Sequence, residues 1–343
     1  MSLLRVLVVD DSPVNRHLIT EALTASGRVT VVGHASNGEQ ALRMLAELSP
    51  EAITLDVEMP KMDGFTFLRI LMSTRPVPVV ILSSYAHPDN VFRALELGAM
   101  DFVAKPDDLI SMQSMWRREL VDKILMAPHA AARPRRLESP PKAFPAERKP
   151  GALAPRFVVA VASSTGGPGA LLSILSRLPP GYQGAILIAQ HMAPLFTKSF
   201  AERLHRTTPL AVKEAQEGDP VYAGHVYVCP GGACMELRRD PTGLRIAVMP
   251  PGKEDRYVPN GTRLLTSVAL TMASRSIGLV LTGMADDGVE GARAIRRVAG
   301  TVIAESEETA IVYGMPGAVV RAGLANKVLP LSSIPDELVT AKS

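Results

Sequence analysis

Short apolar runs, each followed by a helical pattern, recur along the whole chain and constrain its fold more than any other feature. The first, LRVLVV at 4–9, is continuous rather than alternating, as in a parallel strand covered on both faces. Similar runs lie at 29–33, 52–55, 77–82 and 102–103, with helical patterns at 15–26, 38–48, 65–75, 90–97 and 109–126. Five strands alternating with five helices predict a doubly wound parallel sheet. The rhythm resumes at 157–162, 185–190, 226–229, 277–282, 301–304 and 327–329, with helical patterns at 168–177, 195–206, 261–273, 289–298 and 317–322. One stretch, 235–248, departs from it: alternation around Asp240-Pro241-Thr242-Gly243 predicts an antiparallel hairpin. A chain of 343 residues is too long for one ordinary domain.

The ends of the first set of strands carry chemistry. Asp10 and Asp11 follow the first run, Asp56 the third, Ser83 the fourth and Lys105 the fifth. Three carboxylates in one crevice repel one another unless a cation sits among them. Oxygen donors with no His or Cys select a hard ion such as Mg²⁺. A carboxylate beside Mg²⁺ and a lysine can attack phosphorus, because the cations neutralise charge on the phosphoryl oxygens. Ser83 can donate to the phosphoryl group once attached. Taken singly, each acid reads as a helix cap or a solvated charge, and Asp11, next to Ser12 and Pro13, fits that description.

In the second set, FVVAVASSTGGPGA at 157–170 reads as a buried strand running into a turn of small residues, with Ser164 and Thr165 where the strand ends. Ligands and catalytic groups collect outside the carboxyl ends of strands in an open α/β sheet. His191 follows AILIAQ, and Asp286 and Asp287 follow IGLVLTGM. A weak alcohol nucleophile needs a base, and the base needs an acid to orient it. A hydroxyl, an imidazole and a carboxylate at one sheet edge meet that requirement, in the chain order Ser, His, Asp. Each member also has a plainer reading: Ser164 or Thr165 as a cap of the following helix, and Asp286 or Asp287 as a cap near Gly288. Both aspartates cannot orient one histidine. The glycines suggest a phosphate cradle as a rival, but no P-loop lysine follows and GxGxxG is missing.

Between the two sets, residues 128–155 contain seven prolines and few large apolar residues. Such a segment buries too little surface to offset its ordering entropy and reads as an extended tether. Residues 128–156 hold seven Lys/Arg and two Glu, so +5 of the formal +3 resides there and the remainder sums to about −2. That distribution argues against a nucleic-acid-binding domain. The predicted division is 1–125, a linker at 126–155, and 156–343. Cys229 and Cys234 form neither a disulfide framework nor a zinc pattern and fit a reducing cytosol. No signal peptide and no bilayer-spanning run is expected, so the protein is expected to be cytoplasmic and monomeric, without membrane insertion.

The motifs VLVVDDSPVNR, LDVEMPKMDGFTFL, VVILSS and GAMDFVAKP resemble the receiver domain of two-component response regulators. That resemblance implies a flavodoxin-like fold with Asp56 as phospho-acceptor. Asp10, Asp11 and Asp56, with the backbone carbonyl of Glu58, would be the Mg²⁺ ligands, and Ser83 and Lys105 the phosphoryl-binding groups. Phe102 takes the switch-aromatic position, where many receivers carry Tyr; a core aromatic is the other reading. In the second half, ASSTGG, AQHMAPLFTKSFAERL, VYVCPGG, LTGMADDGVEG and TVIAESEETAIVYGMPGAVV resemble the catalytic domain of the chemotaxis-receptor methylesterases, the CheB family. The implied fold is a doubly wound, mainly parallel α/β domain with an antiparallel hairpin. The implied triad is Ser164 as nucleophile, His191 as base and Asp287 as orienting acid. Thr165 would help shape the site and the Met284 N–H would be an oxyanion donor.

The resemblance further implies a hydrolase that removes methyl groups from glutamate γ-methyl esters of methyl-accepting chemotaxis receptors, releasing methanol, with deamidation of receptor glutamines in many relatives. A chemotaxis histidine kinase would be the phosphodonor, phosphorylation of Asp56 would gate the esterase, and the ester reaction would need no cofactor. Two departures stand out. Asp286 replaces the common Asn of Asn-Asp-Gly, and either raises the basicity of His191 or faces water. Glu305 stands where Gln is frequent. Rivals from other classes are a non-hydrolytic partner-binding module and a transcriptional regulator, and no helix-turn-helix pattern with a basic recognition helix supports the latter.

Overall fold

Val6, Leu7, Val8 and Val9 have no exposed surface, as a strand sandwiched between helix layers requires. They belong to β1 (Leu4–Val9) of a computed structural model that describes residues 2–83, 88–105, 113–131, 153–194 and 196–340. The chain divides into two compact units, residues 1–139 and 140–343.

In the first unit, β1 is followed by α1 (Pro13–Thr24), β2 (Val29–Ala35), α2 (Gly38–Leu48), β3 (Ala52–Asp56), α3 (Gly64–Thr74), β4 (Val79–Ser83), α4 (Pro88–Glu96), β5 (Asp101–Ala104) and α5 (Gln113–Leu125). All sheet pairs are parallel, in the order β2-β1-β3-β4-β5. Caps set the helix starts: Ser12, Asn37 and Asp63 each accept a backbone N–H from three residues on. Strand order reverses between β1 and β3, and Asp10 and Asp56 stand at that reversal. A short helix, α6 (Ala127–Ala131), lies in the stretch expected to be linker. The rest of that stretch to residue 152, and the predicted helix starts at 109 and 195, lie outside the described residues.

The second unit runs β6 (Val158–Ser163), α7 (Gly167–Leu175), β7 (Ala185–Gln190), α8 (Phe196–Thr207), β8 (Ala211–Glu214), β9 (His225–Val228), β10 (Cys234–Asp240), β11 (Gly243–Met249), α9 (Gly261–Met272), β12 (Ser276–Val280), α10 (Val289–Arg297), β13 (Thr301–Glu305), α11 (Met315–Arg321), β14 (Lys327–Leu329) and α12 (Ile334–Thr340). Seven strands form one parallel sheet, β14-β13-β12-β6-β7-β9-β8. The pair β10-β11 is the expected antiparallel hairpin, packed by α9. Leu264, Leu265, Val268, Ala269 and Met272 bury one face of α9 in the core.

Sequence reasoning missed β8 and α12. β8 is a four-residue edge strand with one buried side chain, Val212, so it has no continuous apolar run. Both cysteines are free and buried, and burial, first among the causes, pushes the Cys234 thiol up to about 11. Among the described residues no helix is long and apolar enough to cross a membrane.

Candidate active site

In the first unit the parallel register brings the acids together. Asp10 is wholly buried just past β1 and Asp56 is buried as the last residue of β3, while Asp11 is exposed. Side-chain oxygens of all three lie within 4.8 Å of one another. Lys105 reaches in from the end of β5: its Nζ is 2.9 Å from Asp10 Oδ2 and donates to Asp56 Oδ2. Asp10 Oδ1 accepts the Ser12 N–H at 2.9 Å, and Asp56 Oδ1 accepts the Glu58 N–H at 3.1 Å. Burial pushes the Asp56 carboxyl above its usual range, against the opposing pull of Lys105. Ser83, buried at the end of β4, accepts the Lys105 N–H on its carbonyl at 2.7 Å. Phe102 is buried, edge-on to Phe92 at 6.5 Å between centroids, with Lys123 Nζ 5.1 Å from its ring. An all-oxygen donor set around a buried carboxylate, with a cation already beside it, fits a hard divalent ion and a phosphoryl group.

In the second unit, Ser163 pairs with Gln190 in the β6–β7 register, so Ser164 and His191 step off neighbouring strands together. The His191 N–H donates to the Ser163 carbonyl at 2.9 Å. Gln190 clasps the two ends: Oε1 accepts the Ser163 hydroxyl at 2.7 Å, and Nε2 donates to the carbonyls of Ser164 at 2.9 Å and His191 at 3.0 Å. A side chain on Gly167 would drive into Gln190 Oε1, and one on Gly166, at φ +79°, would meet Ile311. These glycines therefore serve internal packing at the strand-to-helix turn.

On the other side β12 holds the turn. Ser164 donates its N–H to the Thr282 carbonyl at 3.0 Å, and the Thr282 hydroxyl donates to the Thr165 carbonyl at 2.8 Å. Glu305 is buried beneath, accepting the Thr282 N–H at 2.9 Å and the Thr309 hydroxyl at 3.0 Å. Thr165 is buried and Ser164 partly exposed. Ser164 sits at the second reversal of strand order, where β6 borders β12.

Asp287 is the carboxylate that meets His191, at 2.8 Å from Oδ2 to Nε2. It is also seated on the N-terminus of α9: Oδ2 accepts the Gly261 N–H at 2.7 Å and Oδ1 the Thr262 N–H at 2.8 Å. Burial opposes its ionisation, but the bond from His191 and these backbone donors outweigh it and hold the carboxyl below its usual range. Nε2 is thus the ring nitrogen engaged by Asp287, and Nδ1 is not. Among the described residues no hydrogen bond joins Ser164 Oγ to His191, and such bonds commonly tighten only with substrate in place. Asp286 turns elsewhere, accepting the Tyr257 hydroxyl at 2.9 Å, and the Tyr257 ring stacks on His191. Sequence reasoning missed Gln190, Tyr257 and Thr282; the one signal was the polar residue closing the apolar run AILIAQ.

The fold and these residues define a receiver domain followed by an α/β unit with a hydroxyl, an imidazole and a carboxylate at its sheet edge. The response regulator receiver domain model matches residues 6–117, and the CheB methylesterase model matches residues 159–338. The chain belongs to the CheB methylesterase family. It is 44 % identical to protein-glutamate methylesterase/protein-glutamine glutaminase 1 of Myxococcus xanthus, over 96 % of this chain and 94 % of that protein. It is 42 % identical to protein-glutamate methylesterase/protein-glutamine glutaminase 3 of Geobacter sulfurreducens, over 99 % of this chain and 97 % of that one. The crystal structure of the Thermotoga maritima CheB methylesterase catalytic domain matches with a TM-score of 0.52 at 39 % identity, covering 53 % of this chain and 97 % of that one.

Proposed function

We propose that this protein hydrolyses glutamate γ-methyl esters of methyl-accepting chemotaxis receptors, releasing methanol, and deamidates receptor glutamines. Residues 1–125 would be the receiver, 126–155 the linker and 156–343 the catalytic domain, acting in the cytoplasm. The observation that carries the reading is the 2.8 Å bond from His191 to an Asp287 seated on the N-terminus of α9, one register step from Ser164. It supplies a base with a fixed orienting acid beside a hydroxyl.

In the reaction, Ser164 Oγ attacks the ester carbonyl carbon while His191 Nδ1 takes its proton. Asp287 stabilises the imidazolium that forms. The Met284 N–H, which donates to no group among the described residues, is a donor for the oxyanion, and Thr165 shapes the turn around it. His191 then protonates the departing methoxide, leaving an acyl-serine and methanol. Water, deprotonated by His191, attacks the acyl carbon, and Ser164 leaves with the proton.

In the receiver, Asp56 takes a phosphoryl group from a chemotaxis histidine kinase, and this activates the esterase. Asp10, Asp11, Asp56 and the carbonyl of Glu58 would hold Mg²⁺, which when bound neutralises charge on the phosphoryl oxygens. Lys105 and Ser83 bind the phosphoryl group, and Phe102 reports its presence to the β5 face.

The test is methanol release from methylated receptors, with and without a phosphodonor. Release that rises with the phosphodonor and vanishes in Ser164→Ala is expected. No release in either condition overturns the reading, and a Ser164→Ala protein that keeps its cellular effect would instead indicate a binding module.

A further inference from the structure

His191 is held by a bond at one atom, Nε2 to Asp287 Oδ2. A single bond does not fix a ring, because the imidazole can still pivot about it and the χ2 torsion of histidine is soft. Catalysis needs the plane as well, since Nδ1 must point at Ser164 through proton abstraction and return. The structure contains a second restraint. The Tyr257 ring lies nearly parallel to the imidazole, 11° between planes and 5.4 Å between centroids.

Tyr257 is itself held at both ends. Its hydroxyl donates to Asp286 Oδ1 at 2.9 Å. Its loop, between β11 and α9, is braced by Asp255, which accepts from the Gly252 N–H at 2.7 Å, Asn260 Nδ2 at 2.7 Å and Arg263 Nη1 at 3.0 Å. Asn260 caps α9, on whose first two N–H groups Asp287 sits. The loop that presents Tyr257 to one face of the imidazole is thus anchored to the helix end that holds the acid at its edge.

We infer that Tyr257 is a positioning residue for His191, clamping the imidazole plane, and that Asp286 acts through Tyr257 by tethering its hydroxyl. The inference rests on the proposed esterase for its kinetic arm. Among the described residues Asp286 makes no bond to His191, and the ring that links the two is Tyr257. The imidazolium formed during acyl transfer also faces the electron-rich side of the tyrosine ring, which favours the charged state over the neutral one.

The test uses the full chain with histidine ¹⁵N labels and compares Tyr257→Ala, Tyr257→Phe and Asp286→Ala with wild type. In Tyr257→Ala, kcat for methanol release is expected to fall about five- to tenfold with a smaller change in KM, since the stack is worth that much. The Nε2–Asp287 bond keeps the tautomer, but the ¹⁵N signals of His191 should broaden and shift as the ring pivots. Tyr257→Phe and Asp286→Ala keep the ring but lose the tether, so each should give a smaller fall in kcat and a partial broadening of the His191 signals. A Tyr257→Ala protein with wild-type kcat and wild-type ¹⁵N signals overturns the inference. So does a lowered kcat with unchanged His191 signals, because Tyr257 would then act on substrate and not on the base. If Tyr257→Ala does not fold, a fall in kcat with broadened His191 signals in Asp286→Ala supports the clamp, and wild-type behaviour in it overturns the tether. If wild type releases no methanol the esterase reading fails, while the ¹⁵N comparison still decides the clamp.

Discussion

Gln190 Nε2 donates to the carbonyl oxygen of Ser164 at 2.9 Å, tying the Ser164 backbone to the strand that leads into His191. The same amide holds the His191 carbonyl and the Ser163 hydroxyl, so one buried side chain sets the spacing of Ser164 and His191. Gln190→Ala removes three hydrogen bonds and leaves their buried partners unmatched. A loss of about 2–4 kcal/mol is expected, together with a fall in kcat larger than the change in KM. Urea unfolding of the full chain and steady-state methanol release check both, and a stable variant with normal kcat would show that β6 and β7 alone fix the spacing.

Gly283 lies where β12 runs into the loop before Asp287, and a Cβ on it would stand 2.7 Å from Ser164 Cβ and collide with Met315 Sδ. Alanine there pushes on Ser164 from behind. Gly283→Ala should destabilise by about 1–3 kcal/mol, as overpacking does, and lower kcat by about 10²-fold through misplacement of Ser164. Activity and melting temperature measured side by side separate the two effects; unchanged activity would mean that Met315 yields and Ser164 stays.

Continuous apolar runs made the buried strands legible, because a strand covered on both faces has no polar positions to interrupt it. β8 was invisible for the converse reason: at the sheet edge only Val212 is buried. The choice between Asp286 and Asp287 came only from the family resemblance, not from position at the strand end. It depends on the N–H groups of Gly261 and Thr262, some 25 residues earlier, which reach Asp287 alone. The stack of Tyr257 on His191 joins two loops 66 positions apart and leaves no local pattern. Strand-end chemistry could be read in sequence because it is tied to the runs; the side chains that brace it could not, because they come from neighbouring strands and loops.

Lys105 stands between two carboxylates, its Nζ 2.9 Å from Asp10 Oδ2 and bonded to Asp56. Burial already holds Asp56 above its ordinary value of 3.8, and Lys105 pulls the other way. Lys105→Ala should therefore raise it further and slow phosphorylation by acetyl phosphate by about 10²-fold, the usual cost of losing one charge-stabilising donor. The sign of the linked stability follows. Between 3.8 and the folded value the native state binds more protons than the unfolded one, so stability falls as pH rises through that window. Removing Lys105 extends the window upward. Urea midpoints of the variant should decline further between pH 4 and 7 than those of wild type, and adding Asp56→Asn should flatten the difference.

Asp287 has the opposite sign. Burial disfavours its charge, but His191, Gly261 and Thr262 hold its carboxyl below 3.8 in the folded state. Its ionic contribution is complete above the unfolded value and is lost as pH falls below 3.8 through the folded one. Asp287→Asn lacks that term at every pH. It also turns an amide N–H toward Nε2 of His191 and favours the tautomer that cannot accept the Ser164 proton. A fall in kcat of roughly 10⁴-fold is expected, the loss such a change causes in a serine triad. Urea midpoints of wild type should exceed those of the variant at pH 6, and the gap should close as pH falls from about 4 toward 3. A gap that stays constant over that range would place the carboxylate's contribution in packing, not in charge, and would contradict the role of the α9 N-terminus in holding it ionised.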